Sequence, residues 1–211
     1  MVKSMKIIDI SQVIRQDMMV YPGDPEFHSH PTSSFKRGDV CEVSELTIGS
    51  HCGTHIDAPL HMIPGGAALE SLSLECFIGP CRVVDVHASV ISEKYLAELN
   101  IVEGERLLLR TDPEGVHQDG RSFNPAVLSM RAAQFLAKRR IRLIGIDSPT
   151  IENMELCDGE VHRTLLGEGI AVLEGLRLGN VPAGRYFLSA LPLKLDGENG
   201  SPCRAVLLKE D

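Results

Sequence analysis

Short apolar runs of strand length recur along the whole chain, and they limit the possible fold more than any other feature. Turn residues and a few helical stretches separate them, so most of the regular structure is predicted to be β-sheet. The predicted strands are Lys6–Ile10, Cys41–Ile48, Cys81–Val86, Arg106–Arg110, Ile141–Ile146, Ile170–Leu173, Tyr186–Leu191 and Arg204–Leu208.

Two segments, Ser92–Leu99 and Ser129–Arg140, begin with a serine typical of a helix N-cap, and the second also has apolar residues along one helical face. A third, shorter helix is predicted to begin near Gly159 and to stop at Gly167. Helices placed between strands indicate an α/β or α+β class with a mixed sheet. A chain of 211 residues is of the size of one domain, so 1–211 is interpreted as a single domain.

Charge and hydropathy exclude several classes of function. The net charge of −8 argues against a nucleic-acid partner, because phosphate binding relies on clustered Lys and Arg. The one basic cluster, Lys138 to Arg140, ends a predicted helix, where cations complement the helix dipole. No apolar run approaches the roughly 20 residues of a membrane span. The N-terminus has no secretory signal pattern, so a cytoplasmic location is expected.

The cysteines favour free thiols over a metal site. The chain has six, scattered without any Cys-x-x-Cys pair, and in a cytosolic protein such residues are small core side chains. A cysteine-rich zinc site is therefore not expected. Any metal chemistry must come from histidines and carboxylates.

A polar cluster near residue 55 is the strongest functional feature. Three of the eight histidines and one aspartate, His51, His55, Asp57 and His61, fall within eleven positions. A glycine and a proline in this segment disfavour a regular helix. A loop entering from a strand would point His51, His55 and Asp57 at one place, and this donor set is common for Zn²⁺, Mn²⁺ or Fe²⁺. The alternative is a hydrogen-bonded polar loop without metal.

A second region could complete the site. His162 lies on the short third helix, and Glu174 follows four apolar residues at the end of the next predicted strand. Spacing alone leaves two interpretations of Glu174 open, a residue on the surface at the strand end or a buried ligand.

The run from His51 to His61, His-x-Gly-Thr-His-x-Asp-x-Pro-x-His, is similar to the central motif of the cyclase-like metal hydrolases, whose best-known members are bacterial kynurenine formamidases. The resemblance continues in Tyr-Pro-Gly-Asp at Tyr21, in Leu-Ile-Gly-Ile-Asp-Ser-Pro-Thr from Leu143, and in the C-terminal Ala-Leu-Pro-Leu-Lys-Leu and Ser-Pro-x-Arg-Ala-Val-Leu. It covers nearly the whole chain.

The resemblance implies two divalent metal ions, with zinc expected and manganese as the alternative. His51, His55 and Asp57 would bind the first ion, Asp57 and His162 would bind the second, and Glu174 would bridge both. It also implies an α/β fold with a curved, barrel-like mixed sheet, and a homodimer or larger homo-oligomer.

The resemblance assigns His61 the role of general acid and base in hydrolysis of a small amide. A metal lowers the pKa of bound water towards roughly 7 and polarises the carbonyl, and a second metal clamps the attacking oxygen. The leaving amine then needs a proton, which an imidazole can supply near neutral pH. The alternative role of His61 is that of a third metal ligand.

The implied substrate is an N-formyl aromatic amide such as N-formylkynurenine, which would place the protein in tryptophan catabolism. The formamidases carry Trp before Pro-Gly-Asp, whereas this chain has no Trp and has Tyr21 there. Tyr21 either lines the substrate pocket or only packs its loop. Nearby, Phe27 and Phe35 could also stack on a substrate, and His28 and His30 could lie at the pocket rim. The alternatives are an isatin-type lactam hydrolase and a non-catalytic metal-binding or ligand-binding protein.

Overall fold

The computed structural model describes residues 5–112, 126–153 and 158–210. Within these ranges it contains thirteen strands and three α-helices. The strands are β1 (Met5–Asp9), β2 (His28–Ser33), β3 (Val43–Thr47), β4 (His55–Asp57), β5 (Ile78–Asp85), β6 (Val90–Ile91), β7 (Arg106–Arg110), β8 (Val127–Leu128), β9 (Leu143–Ile146), β10 (Ala171–Glu174), β11 (Gly184–Ser189), β12 (Gly200–Pro202) and β13 (Val206–Glu210). The helices are α1 (Glu93–Glu98), α2 (Met130–Arg139) and α3 (Glu160–Gly167).

Nine strands form one mixed sheet in the order β1-β13-β11-β5-β7-β9-β10-β4-β12. The pairs β5/β7, β7/β9 and β9/β10 are parallel, and the remaining pairs are antiparallel. The sheet curls into a half-barrel with few helices. The predicted class, α/β with a curved mixed sheet, is therefore confirmed.

Two apolar clusters cover the two faces of this sheet, because neighbouring strand residues point to opposite sides. In β7, for example, Leu107 and Leu109 belong to one cluster while Leu108 belongs to the other. The first cluster includes residues of all three helices, such as Leu165 of α3. All three helices therefore pack on one face of the sheet, and this is the face that carries the polar cluster described below.

Both predicted serine-capped helices are present. The hydroxyl of Ser92 accepts a hydrogen bond from the Tyr95 amide, and that of Ser129 accepts one from the Ala132 amide. Helix α3 also forms as predicted, except that Gly167 is its last helical residue and Glu168 is its C-cap. No helix in the described ranges is both long enough and apolar enough to cross a membrane.

The β2/β3 hairpin differs from the sequence-based prediction. The predicted strand Cys41–Ile48 forms only from Val43 to Thr47 and pairs with β2 in a separate hairpin, so it does not join the main sheet. The segment containing His28 and His30 is not among the predicted strands, but it forms strand β2. Strand β2 was not predicted because its sequence contains proline and polar residues, which are not typical of strands. Strand propensity reflects packing context more than residue type.

The Tyr-Pro-Gly-Asp segment is a tight turn. The amide of Asp24 donates to the carbonyl of Tyr21 at 2.9 Å, and Gly23 has a φ of +97°. A positive φ at the third turn residue is readily available to glycine, which explains the Pro-Gly pair.

Candidate metal centre

Strand β4 places two of the predicted ligands on one face of the sheet. It was predicted to be a loop, but it is a short strand that pairs with β10 on one side and β12 on the other. The alternation of side chains puts His55 and Asp57 on the same face and Ile56 in the opposite apolar cluster. His55 is 3% exposed and Asp57 is fully buried. The pleat of the strand, more than loop geometry, aims these two groups at one point.

Neighbouring elements bring the distant ligands to the same point. Glu174 ends β10 and lies directly opposite His55 in the strand register. His162 lies near the start of α3, a helix that packs on this face of the sheet through Val161 and Leu165. Both Glu174 and His162 are 3% exposed, so Glu174 is not a surface residue.

His51 comes from the loop before β4 and lies against Gly200 of β12. A Cβ atom at Gly200 would lie 2.6 Å from Cε1 of His51 and 2.9 Å from the carbonyl oxygen of Ile56. Only glycine leaves room for the imidazole at this position.

The carboxylates of Asp57 and Glu174 form the centre of the cluster. Nδ1 of His51 lies 2.8 Å from Oδ1 of Asp57, and Nε2 of His55 lies 3.4 Å from the same oxygen and 3.5 Å from Oε2 of Glu174. Nε2 of His162 lies 3.1 Å from Oε1 of Glu174 and 3.6 Å from Oδ2 of Asp57. Three imidazoles therefore converge on two carboxylates.

The second ring nitrogen of each imidazole faces an acceptor away from this centre. Nε2 of His51 lies 2.7 Å from Oδ1 of Asn199, and Nδ1 of His55 lies 2.9 Å from the carbonyl oxygen of Gly53. Nδ1 of His162 lies 2.6 Å from Oε2 of Glu152. Each of these acceptors can take a hydrogen bond from the ring nitrogen it faces, and the other nitrogen of each ring is directed at Asp57 and Glu174.

Burial and charge shift the pKa values of this cluster in opposite directions. Burial alone would lower the pKa of His55, but the carboxylates of Glu174 and Asp57 outweigh it and raise the pKa to about 9. The same competition, with Glu174 and Glu152 as the partners, raises the pKa of His162. Burial would raise the pKa of Asp57, but the hydrogen bond with His51 and the nearby imidazoles hold it below its usual range.

A cavity of about 300 Å³ opens onto the cluster, and His61 and Tyr21 both line it. His61 ends a short 3-10 helix that follows β4. Its ring centroid is 3.9 Å from that of His51 and 6.0 Å from that of His162. Burial lowers the pKa of His61 below its ordinary value, which favours the neutral ring, the form that can accept a proton.

The structure thus brings together the predicted ligands and the predicted acid and base, namely His51, His55, Asp57, His162, Glu174 and His61, and it places Tyr21 at the cavity. Phe27, Phe35, His28 and His30 are not among the described residues that line the cavity.

Sequence reasoning missed Asn199 and Glu152. Asn199 belongs to a turn-rich segment and Glu152 follows the Ser-Pro-Thr run, and neither has a spacing that links it to a histidine. Only the folded chain brings them together.

The donor set fits a divalent metal. Donor atoms of His55, Asp57 and Glu174 all lie within 4.8 Å of one another, as do those of His51, Asp57 and His61. Oδ2 of Asp57 is buried and has no hydrogen-bond partner within the described part of the chain. A buried carboxylate oxygen without a partner is costly unless a cation compensates it, and imidazole with carboxylate is typical of Zn²⁺ and Mn²⁺ sites.

The chain is similar to known proteins over nearly its whole length. Residues 8–153 match the Cyclase family, described as "Putative cyclase". The kynurenine formamidase of Bacillus thuringiensis subsp. konkukian (strain 97-27) is 37% identical over 208 residues, covering 97% of this chain and 98% of that protein. A solved structure described as a potential metal-dependent hydrolase with cyclase activity is 36% identical with a TM-score of 0.85, covering 99% of this chain and 100% of that one.

A more distant structure shares the fold. Isatin hydrolase A from Labrenzia aggregata is 24% identical, with a TM-score of 0.83 over 98% of this chain and 94% of that one. The family match covers more than half of the chain, and the formamidase match extends over nearly all of it. The chain therefore belongs to the cyclase family, and it is a metal-dependent hydrolase similar over almost its full length to a kynurenine formamidase.

Proposed function

We propose that this protein hydrolyses a small aromatic amide at a two-metal centre, with N-formylkynurenine as the first candidate substrate. One observation carries the proposal. Each of three buried or half-buried histidines directs one ring nitrogen at the Asp57–Glu174 pair and the other at a protein acceptor. Metal-binding histidines characteristically have this second partner. The pattern also argues against a polar loop without metal.

The distances suggest how the ligands are shared. His51, His55 and Asp57 would hold the first metal, and Asp57, His162 and Glu174 would hold the second, with Glu174 close enough to His55 to bridge both. Zinc is the expected metal and manganese the alternative. When bound, such ions polarise a carbonyl and lower the pKa of water towards about 7.

His61 is proposed to move the protons of the reaction. Its neutral imidazole would accept a proton from the attacking water and return it to the amine that leaves. Its position beside His51 and within the cavity supports this role. In the competing interpretation, His61 is a ligand together with His51 and Asp57.

The cavity supports an aromatic substrate. Its volume of about 300 Å³ is at the lower end of the range for small-molecule sites. Met19, Val20 and Tyr21 line one part of it, and the metal-site residues line another. An aromatic ring could therefore pack on the apolar part while its amide reaches the centre. The similar formamidase supports N-formylkynurenine, and the isatin hydrolase supports a lactam as the alternative.

The test is hydrolysis of N-formyl-L-kynurenine by the purified protein after chelation, with zinc or manganese restored. We expect turnover that depends on metal, with kcat/KM of about 10⁴ M⁻¹s⁻¹ or higher. Enzymes acting on their own substrates have values in this range. Isatin serves as the competing substrate. Activity on isatin alone would favour the lactam alternative. Bound metal without turnover on either would favour a binding protein or a different amide.

We also propose that the chain is a single domain and assembles into a homodimer or larger homo-oligomer. Strands β1 and β13, from opposite ends of the chain, pair in the same sheet, which supports one domain.

The β2/β3 hairpin exposes Val43 and Leu46, by 48% and 59%, and an isolated two-stranded hairpin is marginally stable in water. A second copy could cover it. Light scattering of the protein as it elutes from a size-exclusion column tests the proposed oligomer. A monomer at micromolar concentration would contradict it.

A further inference from the structure

Glu152 is a largely buried carboxylate beside the candidate metal centre, in the wall of the cavity. It is 6% exposed and belongs to the segment that follows β9. Its Oε1 accepts a hydrogen bond from the Val161 amide at 3.3 Å, in the first turn of α3. Its Oε2 lies 2.6 Å from Nδ1 of His162. Both carboxylate oxygens therefore contact α3, and the shorter contact is to the ring of His162.

This contact determines which ring nitrogen of His162 faces the metal centre. A carboxylate oxygen accepts hydrogen bonds, so Nδ1 of His162 donates to Glu152 across this 2.6 Å contact. Nε2 is left to face Glu174 and Asp57, at 3.1 and 3.6 Å.

The same segment also supports Glu174. The amide of Ile151, next to Glu152, donates to Oε1 of Glu174 at 2.7 Å. Two consecutive residues therefore position two groups of the proposed second metal site. One acts through its backbone and the other through its charge.

The three histidines differ in the partner behind them. That of His51 is the neutral amide of Asn199, and that of His55 is the backbone carbonyl of Gly53. Among these three, His162 is the one whose second nitrogen faces a carboxylate. A carboxylate makes an imidazole a stronger metal ligand and holds its orientation more firmly than a neutral acceptor does.

We propose that Glu152 is a positioning residue that sets the affinity of the second metal, held by Asp57, His162 and Glu174, without contributing to the first. The inference rests on the proposed function, since it requires a two-metal site. It adds a residue outside the ligand set and assigns it an effect on one metal only.

The experiment compares wild-type protein with Glu152→Gln, which keeps an acceptor oxygen and removes the charge. Zn²⁺ is titrated into the metal-free protein against a competing chelator. We expect the weaker or second binding step to lose about 10- to 100-fold in affinity while the other step is unchanged. Glu160→Gln is the matched control, because Glu160 lies at the start of the same helix and pairs with Arg163. At saturating Zn²⁺ the Glu152→Gln protein should regain most of its turnover.

Several outcomes would overturn the inference. The inference is wrong if Glu152→Gln binds each of the two metals as tightly as the wild type does. It is also wrong if the variant loses affinity equally at both sites, because an equal loss indicates general destabilisation. A wild-type protein that binds no Zn²⁺ would instead contradict the proposed function itself.

If Glu152→Gln does not fold, Glu152→Asp and the wild-type protein keep the inference testable. Glu152→Asp retains the charge one methylene further away, so we expect a smaller loss confined to the same step. In zinc-loaded wild type, ¹⁵N NMR of the histidines should show Nδ1 of His162 protonated. An unprotonated Nδ1 would refute the role of Glu152.

Discussion

His55 and Glu174 lie directly opposite each other on antiparallel strands β4 and β10, with Nε2 of the histidine 3.5 Å from Oε2 of the glutamate. This cross-strand pair joins the His-x-Gly-Thr-His-x-Asp motif to a residue far along the chain. The strand register thus decides whether the centre assembles, because a slip of one residue would turn Glu174 to the other face of the sheet.

Removing His61 should slow turnover strongly without removing metal. We expect His61→Asn to lower kcat by about 10²- to 10⁴-fold, the usual contribution of general acid–base catalysis. Metal content, measured by elemental analysis, should stay at the wild-type level. His87→Asn is the control, because His87 is exposed and is not among the residues lining the cavity. A parallel loss of metal would favour His61 as a ligand.

Gly200→Ala should displace His51. The added Cβ would lie 2.6 Å from the imidazole and 2.9 Å from a backbone oxygen, so one of them must move. We expect a loss of about 1 to 3 kcal/mol in the free energy of unfolding, as for other overpacked sites, and weaker binding of one metal. Gly167→Ala is the control, because its Cβ would meet only Ile63 at 3.7 Å. Wild-type stability and metal content in Gly200→Ala would contradict the close packing described here.

The metal-free protein should lose stability as the pH rises from 6.5 to 9. The pKa of His55 is raised from 6.5 to about 9 in the folded protein, so the folded state binds this proton more tightly than the unfolded state. The resulting stabilisation is fully present below about pH 6.5 and is lost as the pH passes about 9, with an upper bound of about 3 kcal/mol. His162 contributes with the same sign.

Urea denaturation of chelated protein at pH 6.5 and 9.5 measures this loss. His87→Asn should keep the pH dependence of the wild type, and His55→Asn should reduce it. Equal urea midpoints at the two pH values in the wild-type protein would rule out the charged state of His55.

Tyr21→Ala should weaken substrate binding more than it slows the chemical step. Tyr21 lines the cavity, and losing an aromatic contact of about 1 kcal/mol corresponds to a rise in KM of about 2- to 10-fold. A smaller change in kcat is expected, since such contacts act on the bound substrate and the transition state alike. Phe35→Ala is the control, because Phe35 is 64% exposed and lies outside the described cavity lining. An unchanged KM would show that Tyr21 only packs its loop.

Much of this protein could be predicted from local patterns. Helices α1 and α2 depend on a capping serine and nearby apolar spacing, and the turn at Tyr21 depends on Pro-Gly. Most of the main-sheet strands are short apolar runs that are visible without a structure. The histidine motif indicated a metal site because three imidazoles and a carboxylate, all of them common metal ligands, fall within eleven positions.

The tertiary structure decided what depends on pairing between distant segments. Strand β4 has only three residues and no strand-like composition, and it forms because β10 and β12 supply hydrogen bonds on both sides. The contacts of Asn199 with His51 and of Glu152 with His162 join residues that no spacing rule connects. Sequence alone therefore determined which donors are available and where most of the regular elements lie. Strand register and helix packing decided which nitrogen faces the centre, because only they set the distances between groups far apart in the chain.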